Sequence, residues 1–352
     1  MKLSFRWYGP KKDPIKIEYI RQIPNVASVV TQLYEYVPGE AWDLENILKM
    51  KKLIEDNGLK MEVIESVPVH EDIKLGRPTR DKYIKNYCIT LENLAKAGVK
   101  VVCYNFMPAF DWVRTELYKE MEDGSFCEAY DQSIIDKLDA EAAIKKFKEL
   151  PAWTLSFPDE EIAEVIDTYK NMSNETLWEN IAYFINGVIP TCDEFGIKMA
   201  IHPDDPAWPI FGIPRLMINE DNIERFININ SSINHGLTLC VGSLSTNLEN
   251  DMVRIINRFH KRIHFTHIRN IRYDTGHSFH EIAHADANGV LDLKKIVEAY
   301  YLNGYEGYAR PDHGRMIWGE EQKPNNPGYG LYDRALGLSY INGLWDAFKT
   351  NK

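Results

Sequence analysis

Residues able to bind divalent metals or move protons are unevenly spread along this chain: nine of its ten histidines lie from His202 onward, and only His70 precedes them. Two of the nine frame the stretch "HEIAH", His280 to His284. On a helix, histidines four positions apart share a face and can hold zinc, with the intervening glutamate as general base of a metalloprotease. The flanks argue otherwise. "RYDTGHSF" comes before and "ADANG" after, so Gly276 and Asn288-Gly289 leave room for hardly more than the motif itself. The motif also follows directly on a candidate strand. That position puts His277, His280 and His284 in a loop, with His280 expected to touch a substrate.

A second set is more coherent. The apolar runs "GIKMAIHP", "GLTLCVGS", "RIHFTHIRN" and "GYARPDHG" carry His202, Cys240, His267 and Asp312 toward their C-terminal ends. Alternate side chains of a strand point the same way, so Phe265, His267 and Arg269 share a face, as do Arg310 and Asp312. If these faces look inward, two imidazoles, a thiolate and a carboxylate meet. Singly, each has a plainer reading as a packed or hydrogen-bonded residue. Together they suggest a metal, because Asp312 buried without a partner would cost several kcal/mol and a divalent cation would supply the missing charge. Such a mixed donor set suits Zn²⁺, Fe²⁺ or Mn²⁺ better than Mg²⁺ or Ca²⁺. Asp204 and Asp205 in "HPDDP" either join this shell or form a solvated turn.

The elements that must position these groups read as an alternation. Four further apolar runs, "KLSFRWY", "VASVVTQLY", "LKMEVIES" and "KVVCYNF", bring the strands to eight, and amphipathic stretches separate them. Uniformly apolar strands suit a parallel sheet covered by helices. "DLENILKMKKLIEDNG" places Leu44, Ile47, Leu48, Leu53 and Ile54 on one stripe and stops at Asn57-Gly58. Eight such units predict an α/β fold, a single (β/α)₈ TIM-type barrel over residues 1–352; a doubly wound open sheet would give a similar string. Residues 109–174, rich in charge and helix formers, are expected to form a helical insertion after the fourth strand, on the C-terminal face, either as a lid or as a solvated excursion.

Bulk properties narrow the function. A net charge of −11 disfavours nucleic acid and anionic lipid, and no basic groove is evident. "MKLSFRWYGPKKDP" meets charge and proline too early for a signal peptide, no run approaches a membrane span, and the expected location is the cytoplasm. Cys88, Cys103, Cys127, Cys192 and Cys240 are odd in number and lack a CxxC pair, which points to reduced thiols. No phosphate-binding glycine loop appears, and "PGYG" at 327–330 is a tight turn presenting Tyr329.

"AIHPDDP", "HFTHIRN", "ARPDHG" and "PGYGLYDRALG", with the opening "FRWYG" and "MPAFDWVRT" after the fourth strand, resemble the mannonate dehydratase family over nearly the whole chain. The resemblance implies a barrel of the xylose-isomerase-like group that dehydrates D-mannonate in hexuronate breakdown, with Mn²⁺ or Fe²⁺ and no organic cofactor. It places metal ligands at His202, Cys240, His267 and Asp312, and catalytic or substrate-handling roles at Arg310, His313 and Tyr329. Expected substrate contacts are Arg269, His280, Arg6 and Trp7, although Arg6, Trp7 and Tyr8 could equally cap the barrel. Arg310, with Arg269, would hold the substrate carboxylate in a planar fork. His313 and Tyr329 would divide the acid and base roles, in an order the sequence leaves open. His313 has a plainer reading as an orienter of Asp312, and Tyr329 as a packing residue. The partner is a small sugar acid, and a homo-oligomer is possible. Rival readings are a sugar isomerase on the same barrel, a metal-dependent nuclease, and a non-catalytic sugar- or metal-binding protein.

Overall fold

The computed structural model describes residues 1–147 and 158–349. All eight apolar runs form strands, and these close into one parallel barrel. In chain order its staves are β1 (Lys2–Arg6), β2 (Val26–Thr31), β3 (Lys60–Glu65), β4 (Val101–Tyr104), β7 (Lys198–Ile201), β8 (His235–Cys240), β9 (Ile263–His267) and β12 (Tyr308–Arg310). Neighbours around the barrel follow the chain, and β12 returns to β1. Val30, Val63, Val101, Cys103, Ala200, Phe265 and Tyr308 fill the interior, which is a packed core rather than a pore.

A helix follows each stave, and local signals set where the longer ones begin. Asp43 caps the helix Leu44–Asp56 by accepting from the Asn46 amide, and Ser173 caps Asn174–Phe195 by accepting from Thr176. The stripe expected on the first of these is narrower than predicted. Ile47 and Ile54 are buried, but Leu48 and Leu53 are exposed, because the helix touches the barrel along one edge only.

The segment 109–174 departs from a purely helical insertion. It contains two strands, β5 (Glu116–Glu120) and β6 (Phe126–Tyr130), as well as helices such as Ile162–Asn171. β6 pairs antiparallel with β11 (Phe279–Glu281), which pairs with β10 (Ile271–Tyr273) from the loop after β9. The resulting sheet, β10-β11-β6-β5, forms a roof over the C-terminal mouth of the barrel. "HEIAH" therefore starts on a roof strand rather than a helix, and the protease geometry is absent. No described helix is long and apolar enough to cross a membrane.

Candidate metal centre and active site

Four consecutive staves carry the expected donors. Parallel pairing sets Cys240 opposite His267 and His267 opposite Arg310, so three functional side chains stand abreast at the same height. His202 follows the last residue of β7. Nε2 of His202 lies 3.1 Å from Nδ1 of His267. Together with the Cys240 sulfur these donor atoms fall within 4.8 Å of one another. Asp312 completes the group: Oδ2 is 3.2 Å from the Cys240 sulfur and Oδ1 is 3.6 Å from His267 Nδ1. Asp312 has φ +61°, a left-handed turn that Asp tolerates better than most residues.

The surrounding bonds suit metal ligation. Nδ1 of His202 sits 2.7 Å from the Pro203 carbonyl, which keeps a proton there and leaves the Nε2 lone pair facing the other donors. Ser243 donates to the Cys240 sulfur at 3.0 Å through its hydroxyl. Glu65 Oε2 is 3.4 Å from His267 Nε2, while Arg310 Nε approaches the same nitrogen at 2.9 Å. Two imidazoles, a sulfur and a carboxylate on adjacent staves fit a divalent ion of intermediate softness.

Contrary to what the sequence alone suggests, Asp312 is not left without a partner in the absence of a cation. Two arginines already partner it, Arg269 through Nε at 2.7 Å and Arg310 through Nη2 at 2.9 Å. Burial works against its charge, yet His313, Arg310, His267 and Arg269 hold the carboxyl well below the usual range. The carboxylate is thus preformed rather than waiting for a cation.

Several residues occupy places other than those expected. Arg269 does not reach the cavity. Its guanidinium is saturated by Asp312, by both oxygens of Glu281 at 2.8 and 2.9 Å, and by Asp205 at 2.6 Å. Arg114 binds the same Asp205 and Glu281 from the other side. Asp205 is therefore an anchor of this web, and Asp204 is bound by Arg215 and the Leu216 and Met217 amides, so neither is a metal ligand or a solvated turn. Trp7 donates its indole N–H to the Ile15 carbonyl and packs in the core. His280 contacts Asp274 and Lys119 on the roof, and His284 contacts the Pro311 carbonyl, both away from the cavity.

The cavity itself is lined by Arg6, Glu65, His202, Arg310, Asp312, His313 and Tyr329, among others. Arg310 makes a two-pronged pair with Glu65 at 2.8 and 2.9 Å, which leaves its Nη1 without a partner. Arg6 Nη2 bonds the Tyr34 hydroxyl, and its Nη1 is likewise unpartnered. Two buried, unsatisfied guanidinium nitrogens at one cavity are a receptor for an anion. The rings of His313 and Tyr329 lie 5.0 Å apart. Burial opposes charge on His313, but Tyr329, Asp312 and Glu128 outweigh it and raise its pKa well above the ordinary value. Glu65 and Glu128 are the site residues that sequence reasoning undervalued. Glu65 is the last residue of β3, and Glu128 lies in the roof strand "FCEAY".

The family model described as D-mannonate dehydratase (UxuA) matches residues 1–352. Mannonate dehydratase of Thermotoga neapolitana is 52% identical over 360 residues, covering 100% of this chain and 99% of that protein. Mannonate dehydratase of Shouchella clausii is 47% identical, covering 99% and 98%. The crystal structure of mannonate dehydratase from Streptococcus suis serotype2 superposes with a TM-score of 0.90 at 44% identity, over 99% of this chain and 94% of that one. D-psicose 3-epimerase from Clostridium cellulolyticum H10, with a TM-score of 0.57 and 12% identity, shares the fold alone.

Proposed function

The chain belongs to the D-mannonate dehydratase family, and from that premise we propose how its own residues take water out of D-mannonate. The C2 proton and the C3 hydroxyl leave as one water, and the enol that remains tautomerises to 2-dehydro-3-deoxy-D-gluconate. Carbon is neither oxidised nor reduced overall, so no organic redox cofactor is required. The difficulty is electrostatic: C2 adjoins a carboxylate, and its deprotonation adds a second negative charge to the same end of the molecule.

His202, Cys240, His267 and Asp312 would hold Mn²⁺ or Fe²⁺, which when bound withdraws charge from the carboxylate end and makes the C2 proton more acidic. Arg6 and Arg310 orient the substrate carboxylate through their unpartnered Nη1 atoms. Arg269 serves instead to fix Asp312. His313 donates the proton that lets the C3 oxygen depart, because carboxylates surround it on the roof and mouth sides. Tyr329, whose ring lies 5.0 Å from that of His313, accepts the C2 proton as its phenolate.

The observation that carries this reading is the convergence of His202, Cys240 and His267 beside Asp312, His313 and Tyr329 at one cavity. Incubation with D-mannonate and Mn²⁺, beside a chelated control, tests it by following 2-keto-3-deoxy acid. Turnover only with metal is expected, and equal rates in chelator would overturn the metal-assisted reading.

A further inference from the structure

The roof contains a buried carboxylate that the mechanism above does not use. Glu128 lies in β6 and is fully buried, yet neither of its oxygens has a hydrogen bond of good geometry. The atom facing it is Nδ1 of His313, 3.1 Å from Glu128 Oε2 and itself without a hydrogen bond. Three buried, unsatisfied polar atoms therefore meet at one contact. Burying them is tolerable only if they satisfy one another.

We infer that Glu128 is a positioning residue for the proposed reaction: it holds His313 through Nδ1, so that Nε2, on the opposite edge of the ring, is presented to the substrate. This rests on the reading of His313 as proton donor. The geometry of the ring gives the choice its meaning. With Nδ1 turned to the roof, Nε2 lies toward the mouth, 3.8 Å from Asp312 Oδ1. Trp112 at 4.9 Å and Tyr329 at 5.0 Å between ring centroids confine the imidazole, so the contacts at Nδ1 select its orientation, and of the two carboxylates there Glu128 at 3.1 Å is nearer than Glu281, whose Oε1 is 3.6 Å away. A side chain anchored at one ring nitrogen is the usual way to fix which nitrogen reacts. The imperfect alignment matches the habit of such bonds to tighten only when substrate is bound.

Two further features are built around the contact. A Cβ at Gly328 would lie 2.7 Å from Glu128 Oε2, and Gly328 has φ +70°, so the "PGYG" turn both needs glycine for its own backbone and leaves space for this carboxylate. The Phe126 and Met316 backbones exchange hydrogen bonds at 3.0 and 2.7 Å, tying β6 to the segment just beyond His313. The neighbouring cluster of Glu128, Glu281 and His313 could be taken for a second metal site. Glu281, however, is already bound by Arg269 and Arg114, and two guanidinium groups at that spot repel a cation.

The test uses the Mn²⁺-loaded enzyme with Glu128→Ala, Glu128→Gln, His313→Gln and the double variant Glu128→Ala/His313→Gln. Glu128→Ala is expected to lower kcat about 10- to 100-fold, with KM within about threefold and bound metal unchanged. Glu128→Gln keeps an acceptor for Nδ1–H and should lose less. In the His313→Gln background, removal of Glu128 should have no additional effect on the residual rate, the non-additivity expected of a residue acting through another. A further loss in the double variant, an unchanged kcat in Glu128→Ala, or loss of metal in Glu128→Gln overturns the inference while leaving His313 as donor. Full activity in His313→Gln overturns the underlying reading and the inference with it. Should Glu128→Ala fail to fold, Glu128→Gln decides through ¹⁵N-histidine NMR of the Zn²⁺-loaded protein: a displaced His313 Nδ1 resonance with the Nε2 resonance little changed supports the inference, and an unmoved Nδ1 resonance overturns it.

Discussion

The staves and the roof position charged groups in opposite ways. At the stave ends, backbone register does the work: Cys240, His267 and Arg310 are neighbours because three parallel strands pair in one alignment, and moving any of them requires slipping a buried strand. In the roof, side-chain charge does the work. Arg114 and Arg269 clamp Asp205 and Glu281 in a web with almost no solvent contact, and that web joins the antiparallel sheet to the barrel mouth. The end that carries the candidate ligands should therefore be robust in shape and fragile in chemistry, whereas the roof should be the reverse.

Breaking the stave end gives the largest effect. Cys240→Ser and His267→Ala are each expected to lose bound metal and more than about 10³-fold in turnover, with an unfolding transition close to that of the unaltered protein without metal. Metal analysis beside calorimetry checks this, and a large fall in stability would erase the contrast. Breaking the roof should do the converse. Arg114→Met leaves Asp205 and Glu281 with one cation between them and is expected to cost about 3 to 5 kcal/mol in denaturant unfolding.

Acid should reach the barrel floor before the roof. His235 and His264, near the N-terminal ends of β8 and β9, are lowered by burial to about 4 and about 3. The unfolded chain binds their protons first, so the stability they confer is complete above about pH 6.5 and falls as pH drops toward 3. Glu281 runs later: burial opposes its charge, but Arg269 and Arg114 hold it at about 2, so its contribution is complete above about pH 4.5 and is lost as pH falls from there toward 2. Unfolding of the metal-free protein between pH 6.5 and 5 should lose on the order of 1 to 3 kcal/mol. A flat profile there contradicts the burial of these two imidazoles. The smallest effect is expected at the rim of the roof. His280→Ala should keep its metal and stay within about threefold of full activity, since the ring pairs with the partly exposed Asp274.

The same contrast explains what the sequence revealed. Stave strands are buried on both faces and read as unbroken apolar runs, which is why all eight are legible in the sequence and why the side chains at their ends can be placed together. "ELYKE" and "FCEAY" signal less. β5 alternates exposed and half-buried residues, and β6, paired on one side with β5, finds its second partner in a loop far along the chain, so neither has a strong local signature of a strand. The one hint at Glu128 was an acid set among Cys127, Ala129 and Tyr130. Arg269 was misplaced for a related reason. Strand alternation put it on the correct face, but only the roof carboxylates, invisible to that argument, show that its nitrogens are taken.

The pairing of β6 with β11 also bears on how the molecule is made. Arg114 and Glu281, which meet under that sheet, are 167 residues apart in the chain. A contact of such long range forms late, after the shorter-range βα units have condensed. Ribosomal synthesis delivers the roof's first half well before its second, so the chamber is sealed only once seven of the eight staves exist, and a chain ending before β11 would carry His202, Cys240 and His267, without Asp312, beneath half a roof.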